Sequence, residues 1–328
     1  MTARILIALF VLTAVAGFSS AAEQTVQQGQ GHPFVCGDYS AGKVAFVSAE
    51  GKIEWEFPAP NCNDVWLLPN GNVLFVTGHG VKEVNRDKKV IFEHVGTMVE
   101  SAAKGKDGNV QTRRSPSEVY ACQRLPDGNT FIGECSSGKL LEVDPSGKIV
   151  KEIRLLSEGK SGGHAFMRNA RKLANGHYLV AHYGLKAVKE YDADGKEVWS
   201  CASPGGPHSV IRLPNGNTLI AEGDADKKRG SGVVEVDKDG KVVWEVRRDE
   251  LEGVGLKFMT GLQRLPNGNT VMTNWLGHGN LGKTAQIIEV TPDKKVVWTF
   301  ADHKNFRCPA SIQLLDVKGD VTKGEILH

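Results

Sequence analysis

A pentapeptide built on Leu-Pro-Asn-Gly-Asn returns five times along this chain, each copy behind an apolar run. The copies are Leu68-Pro69-Asn70-Gly71-Asn72, Leu125-Pro126-Asp127-Gly128-Asn129, Leu173-Ala174-Asn175-Gly176-His177, Leu213-Pro214-Asn215-Gly216-Asn217 and Leu265-Pro266-Asn267-Gly268-Asn269. Asn-Gly and Asp-Gly supply the positive-φ residues of a tight hairpin, which predicts a two-residue type I′ turn at each copy. One hairpin repeated at a period of tens of residues restricts the chain to a solenoid or a propeller.

A second turn interleaves with the first. It is an Asp-x-x-Gly-Lys unit followed by an apolar run and often a Trp, as in Asp192-Ala193-Asp194-Gly195-Lys196-Glu197-Val198-Trp199 and Asp237-Lys238-Asp239-Gly240-Lys241-Val242-Val243-Trp244. It occurs six times, against five clear copies of the first turn and a degenerate one at residues 311–316. Two hairpins per repeat make four antiparallel strands, one propeller blade. The offset between the counts predicts a six-bladed, all-β propeller. Its ring is closed by N-terminal strands at residues 34–39, 43–48 and 53–57 and by a C-terminal innermost strand near residues 311–315. A sandwich does not need two turns in alternation, and a parallel β-helix has a shorter rung.

Residues 1–22 read as a cleaved signal peptide, with Arg4 ahead of the apolar run 5–15 and small residues at Ser20-Ala21-Ala22. Residues 23–328 are then one propeller domain, periplasmic or secreted, and the apolar run is too short to span a bilayer. The segment 1–22 holds one Arg and no acid, so the formal charge of +2 becomes +1 without it. That balance gives no electrostatic case for nucleic acid or an anionic membrane. The one dense cationic stretch, residues 104–114, reads as a solvated loop. Six cysteines, Cys36, Cys62, Cys122, Cys135, Cys201 and Cys308, allow fifteen pairings. On a two-residue turn Cys122 would face Gly133 and sit only diagonal to Cys135, too far for a bridge.

In such blades the short uniform turns share one face of the disc, and the long dissimilar connections share the other, where function concentrates. Seven of the ten histidines fall in or beside those connections: His79, His164, His182, His208, His278, His303 and, at the edge, His32. Counting five residues back from each turn Leu gives Asn63, Tyr120, Arg168, His208, Thr260 and Ala310, the expected mouth of the axial channel. The next row is Asp64, Ala121, Asn169, Ser209, Gly261 and Ser311. Two before the Leu, Gln123, Arg171, Gln263 and Gln313 recur, as expected of bonds between blades.

His164 follows Gly162-Gly163 and His208 follows Gly205-Gly206-Pro207, glycines that bring the backbone close to the axis. With Arg168 and His182 they form a candidate acid/base or nucleophilic set acting on an anionic or glycan-derived small molecule, the Arg holding its charge. Asn63, Asp64, Tyr120, Glu134, Tyr183, Trp275 and His278 are the candidate ligand-binding residues. The cofactor is unknown; a divalent metal on the histidines with Asp64 or Glu134 is a further alternative. A second function class is a non-catalytic scaffold binding carbohydrate or protein, with Trp275, Tyr183 and Tyr39 as stacking surfaces.

The segment Val236-Asp237-Lys238-Asp239-Gly240-Lys241-Val242-Val243-Trp244 resembles the blade repeat of PQQ-like quinoprotein propellers, in which turn and Trp dock neighbouring blades. The Leu-Pro-Asn-Gly-Asn hairpins resemble those of arylsulfotransferase-like propellers. Through residues 121–126, 162–170 and 274–279 the chain is similar to secreted propellers frequent in planctomycetes. True quinoprotein dehydrogenases imply eight blades and adjacent cysteines, absent here, so bound PQQ is not expected. The arylsulfotransferase resemblance implies a channel histidine that takes up a sulfuryl group, with histidines and an Arg about it. His164, His208 and Arg168 match by residue type, while the extra N-terminal domain of that family is not expected here.

Overall fold

The computed structural model describes residues 26–104, 110–223 and 226–328; the expected signal peptide lies outside them. Six four-stranded antiparallel blades form the ring. Blade 1 joins Pro309–Leu314, innermost, to Phe34–Asp38, Lys43–Val47 and Ile53–Pro58, so the two ends of the chain close the ring in one sheet. The innermost strands of blades 2 to 6 are Val65–Leu67, Val119–Arg124, Asn169–Lys172, Pro207–Arg212 and Met259–Arg264. Second strands such as Thr130–Glu134 are buried throughout, because sheets pack on both their faces, and the outermost Ile53–Pro58 alternates half-buried and exposed.

The hairpins depart from the expected type I′ geometry. Gly71, Gly128, Gly176, Gly216 and Gly268 have positive φ, but the preceding Asn or Asp residues do not. Leu68 N donates to Asn72 O, and Gly71 N to Leu68 O. This is a type I turn closed by a left-handed glycine, and Pro69 at its second position has the φ that a type I turn needs. The longer turn shifts the register by one, so Cys122 faces Ile132. All six cysteines are free and buried.

Each interface is fastened by repeated contacts. Trp55, Trp199 and Trp244 donate their indole N–H to Arg86, Lys238 and Pro292 carbonyls on the next blade's outer turn, at 2.7–2.9 Å. Strand-three glutamates receive a cation from the following blade's innermost strand: Arg124 to Glu83, Lys172 to Glu142, Arg212 to Glu190 and Arg264 to Glu235. At blade 1 that position is Leu314, and His32 bonds Glu289 at 3.0 Å in its place. His32 therefore stands on the Asn-Gly face as the structural partner of Glu289, whose hydrogen bond raises its proton affinity. It is not part of the connection face to which its sequence position pointed.

Three segments lie outside the blade pattern. Val26–Gly29 adds a fifth strand to blade 6, beside Val296–Ala301. Around the stretch 104–114, expected as a solvated loop, Met98–Lys104 pairs antiparallel with Val110–Pro116. Past blade 1, residues 317–328 cross the Asn-Gly face and bury Val321, Ile326 and His328 at the axis. Among the described residues no helix is long and apolar enough to cross a membrane.

Candidate functional site

The register rows are realised at the axis. A cavity of about 10 Å³, room for one water, is lined by Asn63, Asp64, Asn169, His208, Ser209, Thr260, Gly261, Ala310 and Ser311, with His328 below. Asp64 is fully buried and held by both arms of Arg171, at 2.7 and 2.9 Å, while also accepting from Cys122 N. It thus joins blades 2, 3 and 4 beneath the mouth.

Above the cavity, four consecutive blades contribute one continuous arc. Glu118, just ahead of blade 3, accepts from His164 Nδ1 at 2.8 Å and from the Ser136 hydroxyl at 3.1 Å. The loop carrying His164 is pinned to the same serine, since Gly163 N donates to Ser136 O. A Cβ on Gly162 would stand 2.3 Å from that oxygen at φ +86°, so only glycine serves there. Arg168 Nη2 reaches His164 Nε2 at 3.3 Å, and Nη1 donates to the His164 carbonyl. A guanidinium only donates, so in this arrangement Nε2 is the acceptor and the proton sits on Nδ1, facing Glu118. The guanidinium lies 4.4 Å over the Tyr120 ring and 5.3 Å over Tyr183.

Rings continue the arc across blades 4 to 6. Tyr183 meets His208 edge-on at 6.4 Å between centroids; His208 meets Phe258 at 5.5 Å, Phe258 meets Trp275 at 5.5 Å, and Trp275 meets His278 at 4.9 Å. Burial, then the Arg168 charge, lowers the His208 pKa to about 3, so its imidazole is neutral at physiological pH.

The arc therefore brings together His164, Arg168, Tyr120, Tyr183, His208, Trp275 and His278 of the expected residues, with Asn63 and Asp64 beneath. His182 stays apart. Its ring is fully buried in blade 4, with Nδ1 on the Phe166 carbonyl and Nε2 on the Tyr191 hydroxyl, both at 2.8 Å. Burial lowers its pKa to about 4. Glu134 also stays apart, bonded to Thr97 N and the Ser137 hydroxyl at the hairpin's base. Among the described residues no three of His, Cys, Asp and Glu stand together as a metal site. Glu118 and Phe258 escaped the sequence reading. Each stands two residues outside the mouth row, at Tyr120 and Thr260, so extending the same register outward reaches both.

These two imidazoles, His182 buried and His208 half-buried, set a pH dependence. The unfolded chain protonates them near 6.5, the folded one near 4 at His182 and 3 at His208. Below pH 6.5 the unfolded state binds more protons, so stability falls with pH by about 1.4 kcal/mol per unit per imidazole. Thermal melts should fall steeply from pH 7 to 4.5, and His208→Gln should flatten that slope. Equal slopes would contradict the neutral state of His208.

A family model described as Arylsulfotransferase (ASST) matches residues 106–251. Over that span the chain resembles the arylsulfotransferases. The span carries Glu118, His164, Arg168 and His208, and it bears out the arylsulfotransferase-like resemblance of the hairpins. No curated protein matches. Among solved structures, a protein of unknown function from Bacteroides caccae aligns with 27% identity and a TM-score of 0.72, over 86% of this chain and 98% of that one. A streptogramin B lyase aligns at 12% identity and TM-score 0.55, over 86% and 88%. Virginiamycin B lyase from Staphylococcus aureus aligns at 12% and 0.52, over 85% and 100%. The two lyases share the fold alone.

Proposed function

We propose that this arylsulfotransferase-like propeller transfers a sulfuryl-type anionic group from an aryl ester to a hydroxyl acceptor at the loop-face mouth. The observation that carries this reading is the Glu118–His164–Arg168 chain of contacts, a carboxylate-oriented imidazole against a guanidinium. An incoming anion draws the Arg168 donors onto its own oxygens and frees the Nε2 lone pair. Nε2 then attacks sulfur, the S–O(aryl) bond breaks, and the phenolate leaves with the bonding pair. Glu118 balances the positive charge on the substituted ring. An acceptor hydroxyl attacks the same sulfur, the N–S bond breaks and the acceptor proton passes to solvent, regenerating neutral His164.

The rings Tyr183, Phe258 and Trp275 then stack the aryl group. His208 stays neutral, so no imidazolium at that position protonates the departing oxygen, and rates should fall steeply as leaving-group pKa rises. Phe258→Ala should raise KM up to about 10-fold with kcat nearly unchanged, the worth of one aromatic contact. An equal loss in kcat would place that ring in the chemistry instead. The reading as a whole is tested with p-nitrophenyl sulfate and a phenol acceptor. Nitrophenol release with sulfated phenol supports it. Tight binding of the ester without any transfer would make this a binding propeller.

A further inference from the structure

The Asn-Gly face carries a second cleft, of about 870 Å³, remote from the histidine arc. Its walls are the turn residues of blades 3, 4 and 5, including Leu125, Leu173, Ala174 and Leu213, and its far side is the segment Val321–His328. Its volume is that of a ligand site, and its wall is largely apolar.

The innermost strands explain what it lacks. The residue before each turn Leu turns its backbone N–H away from its own blade. The Leu213 N to Asn217 O bond makes the Arg212–Thr218 pair the non-bonded kind. The preceding blade caps that N–H where it has a glutamine two before the Leu. Gln313 accepts from Leu67 N at 2.7 Å, Gln123 from Lys172 N at 3.0 Å and Gln263 from Leu314 N at 2.7 Å. Blade 5 has Ile211 there, which accepts nothing. The Arg264 N–H it leaves uncapped is taken by the Leu327 carbonyl at 3.0 Å, from the crossing segment. Blade 4 has Arg171, a donor only, and among the described residues the Arg212 N–H has no acceptor. Arg212 lines the open cleft. An uncapped amide at an apolar cleft loses its hydrogen bond on burial unless a ligand supplies one.

We infer that this cleft binds an extended apolar peptide, whose carbonyl caps Arg212 N–H and whose side chains lie on Leu125, Leu173 and Leu213. One blade away, Leu327 of this chain does the same for Arg264 and packs against the apolar cluster of blades 5 and 6, while the adjoining Ile326 packs on that of blades 2 and 3. Because the blades repeat, the same chemistry of occupant fits the open cleft.

A fluorescein-labelled Lys-Gly-Glu-Ile-Leu-His peptide, copied from residues 323–328, serves as probe for the full mature chain. The proposal expects saturable binding and at least about 10-fold slower hydrogen exchange at the Arg212 amide, with Leu314 unchanged. Ala174→Arg, at an exposed wall position, should weaken binding at least about 10-fold while leaving the melting temperature and aryl-ester turnover in place. No binding at millimolar peptide would overturn the proposal. So would protection arising at Arg264 rather than Arg212, or binding indifferent to Ala174→Arg. None of these readouts involves group transfer, so this inference and the proposed reaction stand or fall separately.

Discussion

His164→Ala is expected to lower kcat/KM for aryl-ester transfer roughly 10³-fold or more, the scale of removing a nucleophile from a preorganised site. Its side chain is 69% exposed, so the fold should be untouched and the melting temperature unmoved. Glu118→Gln should cost about 10²–10⁴-fold, because the amide loses the charge that fixes the Nδ1 proton and steadies the substituted ring. Arg168→Lys keeps the charge but loses the fork, so it should lie between wild type and Arg168→Ala, with most of the effect in KM. Turnover within a few-fold of wild type in His164→Ala would remove His164 from the chemistry, whatever the other variants do.

The largest stability effect is expected one layer below. Arg171→Ala leaves the Asp64 carboxylate buried without its guanidinium, the Cys122 N–H still donating to it, and strips the His328 carbonyl of its donor. Breaking a buried pair by removing one partner costs about 3–5 kcal/mol. In a domain of this size that is a fall in melting temperature of roughly 10 °C. The Asp64→Asn, Arg171→Met double variant should recover much of the loss, because neither product carries a charge that must be desolvated. A single variant as stable as wild type would mean that the pair is not what ties blades 2 and 4 across the axis.

Fold and site were legible to different depths. The blade count and the ring closure followed from two alternating turns, because a hairpin is a local device whose residues must satisfy backbone geometry wherever they occur. The turn type did not follow. Asn-Gly is compatible with type I′, but Pro69 and its equivalents choose a type I turn with a left-handed glycine, and only their place in the turn shows this. The mouth row was readable because the innermost strands share one register, which put Arg168, His208 and Asn63 at the axis. His182 shows the limit. Its sequence position is a connection, yet its ring turns back into blade 4 and both nitrogens are satisfied there. His32 shows the same limit on the other face, where a missing cation at Leu314 makes an imidazole structural. Partners such as Glu118 and Phe258 belong to chain entering a blade, two residues outside the mouth row, where the register has to be carried past the strand to reach them.

The central claim is that His164 Nε2 receives the transferred group. Rapid acid-free quenching of the chain during turnover of p-nitrophenyl sulfate, followed by peptide mass spectrometry, tests it directly. The account predicts one sulfuryl adduct, on the peptide holding His164, which disappears when phenol is added. An adduct on His208 or any other residue, or transfer proceeding in His164→Ala with no adduct at all, would contradict it.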